Sequence, residues 1–409
     1  MNQVNKSDCV GCGACYSACS IRCITMNHDS EGFLYPVIDK NKCTNCTECE
    51  KICPSMNCDN TRGIRKPLNI YASKNSDEEI RYASSSGGIF SLLAEHVIKK
   101  DGIVFGAKFN DSWDVISDYT EKSEGLAAFR GSKYVQSVTG ETYKQARDYL
   151  EKGKQVLYSG TPCQIAGLKA FLEKEYTNLL TVDFVCHGVP SPLVWKKYLR
   201  EFIRASNMPS GQKNPSGIND IVDIKFRDKQ YGWKNFSFKV SFCSKKSDFF
   251  SIIEPLNSNF FLKGFLHNLY LRPSCHNCPV KLFKSGSDIT IADYWGVQNI
   301  LPRFDDDKGV SLVMLNTIQG KIIYELLDKV DHQVTTYVEA VAKNPAIEKS
   351  VLPHKNRTLF FKNYTKNSIA YLVDILLTVS LSKKIIKILL YRLRLITFIR
   401  FFLGNRNSK

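Results

Sequence analysis

The cysteines near the start constrain this chain more than anything else in it. Residues 9–19 read CVGCGACYSAC and residues 43–54 read CTNCTECEKICP. Both runs have the spacing C-x2-C-x2-C-x3-C, and the second ends in Pro54. Of 15 cysteines in 409 residues, ten fall within the first 58. The opening MNQVNKSDCVGC is polar and shows no secretory signal. The expected setting is therefore reducing, and there such a pattern points to metal binding rather than to disulfides. Three thiolates in one tight loop can cap three corners of an iron–sulfur cubane, and the fourth corner needs a ligand from elsewhere.

The doubled run is the bacterial two-cluster ferredoxin pattern, in which the fourth cysteine of each run crosses to the other cluster. Cluster one is expected to use Cys9, Cys12, Cys15 and Cys53, and cluster two Cys43, Cys46, Cys49 and Cys19. Gly11, Gly13 and Ala14 suit a loop wrapped closely round a cluster, with backbone N–H groups aimed at sulfur. Zinc sites or a disulfide knot are the competing readings, but zinc sites seldom use eight cysteines at this doubled spacing. Ser20 follows Cys19 where proline is usual, and Cys23 and Cys58 fall outside the pattern. Residues 59–67, DNTRGIRKP, are polar and read as a linker.

The length allows two or three domains. Beyond the linker, helical and strand patterns alternate, which predicts parallel βαβ units. Ile89, Leu92, Leu93 and Val97 recur at helical spacing behind Ser84, Ser85, Ser86, Gly87 and Gly88. That start either caps a plain helix or cradles a phosphate. A helix over 140–153, a strand QVLYS, the turn GTPCQ and a helix over 165–175 follow. Then come a strand LLTVDFVC, the loop HGVPSP and a helix from Pro192 to Arg204. In a parallel sheet ligands gather at the C-terminal strand ends. Cys163 follows one strand and Cys186 ends the next, so both are expected on the same sheet edge. Cys275 and Cys278 in RPSCHNC bring the number of body thiolates to four. Four thiolates suit a third cubane or a zinc site, and free thiols are the bland alternative. Cys243, in VSFCSK, alternates with apolar residues on a strand and reads as packing.

Net charge is +16, but Val351 to Lys409 holds twelve Lys or Arg against Asp374 alone and so carries +11 of it. The body is only mildly basic, which argues against nucleic acid as a partner. No run of 18 apolar residues predicts a membrane span. Residues 381–409 alternate apolar and basic residues. On a helix Lys383, Lys384, Lys387 and Arg394 share one face, which suits either packing on the body or an anionic membrane interface.

In order along the chain stand the double ferredoxin motif, SSSGG, FRGSKYVQS, GTPCQIAGL, CHGVPSP, RPSCHNC and SDITIADYWG. This combination resembles the beta-subunit family of coenzyme F-420 hydrogenases and dehydrogenases over residues 4 to about 320. The resemblance implies a ferredoxin-like two-cluster module of α+β type and an α/β flavoprotein domain with a partly parallel sheet. It implies 4Fe-4S clusters, with Cys163, Cys186, Cys275 and Cys278 as ligands in the body, and FAD. Ser85, Ser86, Gly87, Gly88, Arg130, Lys133, Gly160 and Thr161 would belong to the flavin pocket. No G-x-G-x-x-G follows a strand, so the flavin rests on the resemblance. His187 and Asp293 are candidate proton carriers, and no catalytic residue is assigned.

The expected organisation is a head over 1–60, a body over 61–350 and a basic helical tail over 351–409. The expected function is an iron–sulfur flavoprotein oxidoreductase, fed by ferredoxin or another redox protein and acting on a small two-electron substrate. Some bacterial relatives are thought to act in surface-polysaccharide pathways. The alternative is an electron-transfer subunit of a larger complex that uses coenzyme F-420. The expected location is cytoplasmic, with a peripheral position on the inner face of the membrane as the alternative.

Overall fold

The computed structural model describes residues 4–57, 66–206, 215, 217–243, 249–378, 382, 385–387 and 389. Most of the 59–67 linker, Cys58 and nearly all of 379–409 lie outside the described residues. So does most of the basic segment read as a membrane-surface helix. Among the described residues no helix is long and apolar enough to cross a membrane.

The head is small. Strands β1 (Ile24–His28) and β2 (Leu34–Ile38) form an antiparallel hairpin. Helices Ala14–Ala18 and Glu48–Lys51 lie within the two cysteine runs.

The body carries strands β3 (Asn69–Asn75), β4 (Ile103–Phe109), β5 (Val115–Thr120), β6 (Val156–Gly160) and β7 (Leu179–Phe184). After them come β8 (Ile221–Asp228), β9 (Ser237–Cys243), β10 (Phe249–Pro255), β11 (Ile289–Asp293), β12 (Ser311–Leu315) and β13 (Val330–Val334). Eight of these form one mixed sheet of order β13-β3-β12-β11-β7-β6-β4-β5. The central run β11-β7-β6-β4 is parallel, and the flanking pairs are antiparallel. The expected partly parallel sheet is therefore present.

Burial explains why these strands sit in the middle. Ile103, Val104 and Phe105, then Val156, Leu157 and Tyr158, then Leu179, Leu180 and Val182 are all buried. Near-continuous apolar strands need cover on both faces. Helix Ile89–Ile98 covers one face with Ile89, Leu92, Leu93 and Val97 against Val104, Leu157 and Leu180. Helices Thr142–Glu151 and Pro162–Leu172 cover the other through Tyr143, Ala146, Ile165 and Leu168. Pro162 at the start of the second helix is pre-set for it, and Thr161 with Gln164 forms a capping box.

Strands β8, β9 and β10 make a separate antiparallel sheet. Its Phe226, Phe238 and Phe242 pack with Trp195 and Tyr198 of helix Pro192–Ala205. The described part of the tail joins the same core: Phe360, Ile369 and Val373, from helices Arg357–Asn363 and Ile369–Leu377, are buried there. Cys243 departs from the packing expectation. It ends β9 on the opposite side from Phe238, Val240 and Phe242, and the two-residue period leaves it exposed.

The head docks on the body rather than hanging from its linker. Val10, Cys12, Ala14 and Ile52 share one apolar cluster with Tyr143, Ile165 and Leu168. Thr139 Oγ1 donates to the Cys12 carbonyl at 3.1 Å, and Leu34 N donates to Gln136 Oε1 at 3.2 Å. Arg357 grips the Glu31 carboxylate with both guanidinium nitrogens, and Ser191 Oγ donates to the Glu31 carbonyl. Gly32 makes this contact possible. Its φ is +86°, and an added Cβ would lie 2.6 Å from both Leu193 Cβ and Ser191 Oγ. Gly32→Val should therefore destabilise the protein by about 1–3 kcal/mol, read as a lower urea midpoint and faster protease cleavage between head and body. An unchanged midpoint would contradict this docking.

Candidate metal centres and the adjoining cleft

The local folding of each cysteine run sets its thiols inward. Gly13 stands in the left-handed region at φ +82° and starts the helix that carries Cys15. The structure brings Cys53 to Cys9, Cys12 and Cys15. It brings Cys19 to Cys49, and Cys49 to Cys46. Cys19, Cys43, Cys46 and Cys49 line one depression of about 30 Å³. Cys23 lines it too, with its sulfur 3.3 Å from that of Cys19. The motif gave Cys23 no role, yet it is a fifth thiol at this depression.

In the body, the parallel pairing of β6 and β7 places Gly160 beside Asp183. Cys163 lies in the first helical turn after β6, and Cys186 lies just beyond β7. A bridge between Pro190 and Leu271, with Arg272 N donating to the Val189 carbonyl, folds the RPSCHNC loop over this edge. Cys275 and Cys278 thereby meet Cys163 and Cys186. The body set also abuts the head. Cys12 feels the charge of Cys163, and a Cβ on Gly167, four residues beyond Cys163, would lie 2.9 Å from Cys12 Sγ.

These thiols resist ionising by themselves. Burial, then the neighbouring Cys15 thiolate, pushes Cys12 well above the usual thiol range. Burial, then Cys9 and Cys53, pushes Cys15 up to about 12. Burial likewise lifts Cys163, Cys186 and Cys275 to about 12, and raises Cys278. All of the described cysteines are free of disulfides. Crowded, buried thiols of this kind become thiolates only when a cation sits among them. Among the described residues no three His, Cys, Asp or Glu side chains converge on an ion-sized point. Four thiolates per set suit either a 4Fe-4S core or a tetrahedral zinc.

A cleft of about 160 Å³ opens nearby, between the Arg130–Lys133 loop and β8. Ser85, Arg130 and Lys133 line it, together with Lys225, Arg227 and Lys229, three cations that sequence reasoning missed. They lie in the strand-like IVDIKFRDK, where no spacing marks a site. The other pocket candidates lie elsewhere. Ser86 Oγ donates to the Val310 carbonyl. Gly87 N donates to Ser311 Oγ, and a Cβ there would meet the Ser73 carbonyl oxygen at 2.4 Å. Gly88 caps the following helix at φ +83°. Gly160 and Thr161 sit at the start of the helix bearing Cys163.

The cleft cations differ in how they are satisfied. Arg227 pairs with Asp293 at 2.5 Å, and among the described residues its buried Nε has no acceptor. Lys229 Nζ donates to the carbonyls of Arg81, Ser86 and Lys308. Lys133 Nζ donates to the Arg130 and Gly131 carbonyls. Desolvation lowers its pKa to about 7, opposed by Asp223. The proton-carrier candidates are both engaged. His187 Nε2 bonds Asn268 Oδ1 at 2.7 Å, and Asp293 takes Arg227 and the Trp233 indole N–H.

A two-run cysteine head locked onto a mixed α/β body with four more thiols at its strand ends defines an iron–sulfur redox protein. Residues 8–57 match the 4Fe-4S dicluster domain, and residues 153–340 match the C-terminal region of the beta subunit of coenzyme F420 hydrogenase/dehydrogenase. The chain is thus similar to that beta-subunit family over 153–340 and to the dicluster domain over 8–57. A curated relative, a subunit of the F(420)H(2) dehydrogenase of Methanosarcina mazei, is 24% identical over 234 residues. That match spans 53% of this chain and 61% of the relative, under two thirds of its length. Among solved structures, a chain of the F420-reducing NiFe hydrogenase complex from Methanosarcina barkeri aligns with a TM-score of 0.44 and 16% identity. That alignment covers 75% of this chain and 95% of the other.

Replacing both Cys163 and Cys275 with Ser should lower the iron of anaerobically purified protein from ~12 to ~8 atoms per chain, because each 4Fe-4S core needs its thiolates. The head's spectroscopic signals should persist. A parent protein with ~8 iron atoms and one zinc per chain would contradict the assignment.

Proposed function

We propose that the chain is an electron-transfer subunit of a larger hydrogenase- or dehydrogenase-type complex. In this reading it holds three 4Fe-4S clusters in a row and FAD in the cleft. The observation that carries the reading is the spatial order of the thiols. The depression round Cys46 is open, the Cys12 set is buried behind it, and the Cys163 set lies behind that.

The clusters would supply one-electron steps and FAD would convert them to two-electron chemistry, the kind a deazaflavin partner requires. The chain's own residues supply position and charge. Lys281 Nζ, donating to the carbonyls of Cys186 and Ala346, places a cation behind Cys186 and opposes the rise in its pKa. From Cys186 the structure runs to the cleft through packed rings. His187 meets Phe265 edge-on at 5.1 Å, and Phe265 stacks on Tyr134 at 4.7 Å. Tyr134 adjoins Lys133. Lys133, Arg130 and the buried Nε of Arg227 suit an anionic cofactor. The curated relative is a dehydrogenase subunit rather than a protein of a polysaccharide pathway, which favours a protein partner at the open end of the row.

The test is FAD binding by the anaerobic holo-chain. Lys133 loses its proton near pH 7, and an anionic ligand favours the protonated form, so affinity for FAD should fall as the pH rises from 6 to 9. Lys133→Gln should weaken binding about tenfold at pH 6 and flatten that dependence. FAD-loaded chain should accept electrons from reduced coenzyme F420 and pass them to the clusters. A holo-chain that takes up no FAD would reduce the proposal to a one-electron relay.

A further inference from the structure

Arg272 is 0% exposed. Among the described residues no carboxylate lies within ion-pair distance of it. Two acids of the adjoining head segment are engaged elsewhere, Asp29 with Lys6 and Glu31 with Arg357. A buried cation without a counter-charge costs several kcal/mol, so something else must balance it.

Its contacts identify what does. Nε donates to the Cys9 carbonyl at 2.8 Å, and Nη2 points at Cys9 Sγ at 3.6 Å. Nη1 reaches Gln136 Oε1 at 3.4 Å. The guanidinium lies over the Tyr35 ring at 4.1 Å. On the body side, its carbonyl accepts from Cys275 N at 3.0 Å. Cys163 and Cys275 both lie within electrostatic reach of the guanidinium. Gly11 leaves it room, since a Cβ there would lie 2.9 Å from the guanidinium. One cation thus faces the first head set and the body set together.

We infer that Arg272 is the fixed counter-charge shared by the first head cluster and the body cluster, a positioning residue that raises the potential of both and holds the Cys9 loop against the RPSCHNC loop. The inference rests on the three-cluster reading. Each reduction adds one negative charge to a cluster, and a desolvated cation beside it favours that charge. Arginine suits the place because its fork can serve a carbonyl, an amide and a sulfur at once.

The experiment is an EPR-monitored redox titration of the anaerobic full chain as wild type, Arg272→Gln and Arg272→Lys. In Arg272→Gln the first head cluster and the body cluster should each become harder to reduce by about tenfold in equilibrium constant, ~59 mV for one electron. The second head cluster should not move. Arg272→Lys keeps the charge and should stay near wild type. Unmoved potentials in an iron-replete Arg272→Gln protein would overturn the inference, as would a shift confined to the first head cluster. Loss of iron from both variants would make Arg272 a folding residue and overturn it too. A wild type with only ~8 iron atoms per chain would instead defeat the three-cluster reading itself, and this inference with it, before any variant is made.

Discussion

Sulfur atoms packed this closely and this far from water ionise only around positive charge. Burial first, and neighbouring thiolates with it, lift Cys15, Cys163, Cys186 and Cys275 to about 12. Without cations these sites would be clusters of neutral thiols. In the proposed three-cluster reading, iron turns the same crowding into bonding that would tie residues 9–53 to one another and close residues 163–278 into a loop. The fixed charges are placed accordingly, with Arg272 between the first head set and the body set and Lys281 behind Cys186.

The fold supplies the rigidity that this arrangement needs. Parallel strands β6 and β7 end side by side, and each delivers one thiol to the same edge. The capped helix after β6 fixes Cys163 in its first turn, where backbone position is well defined. The head then lies across the helix layer, with Cys12 packed on the same helix and joined to its apolar core. Docking rather than tethering sets the spacing between the thiol sets. The Glu31–Arg357 fork and the Gly32–Ser191 contact add further points of attachment between head and body.

How much could be read from the sequence follows from how local each feature is. The head's cysteines declare themselves because a cubane corner set fits in one seven-residue loop. Cys163 and Cys186 were legible from the alternation of strands and helices, since parallel strands present their C-terminal ends together. The central parallel strands were legible as apolar runs. Arg272 was not, because its partner Cys9 is 263 residues away and only docking brings them together. Lys225, Arg227 and Lys229 were not, because alternating charges on a strand look like an ordinary solvated edge. Gly87 reads as a ligand-binding glycine in sequence, but its surroundings are set by Ser73 and Ser311, on strands distant in sequence. Cys243 was misplaced by one step of the two-residue period, which is enough to reverse the face.

The central claim is that three clusters stand in a row within one chain, the first head set adjoining the body set. Magnetic coupling tests it most directly, since paramagnets this close broaden each other's spectra. Stepwise reduction of the anaerobic protein, followed by EPR with spin counting, should give three one-electron steps. The first head cluster and the body cluster should show mutual broadening when both are reduced. Two steps only, or three with no coupling between those two centres, would contradict the account.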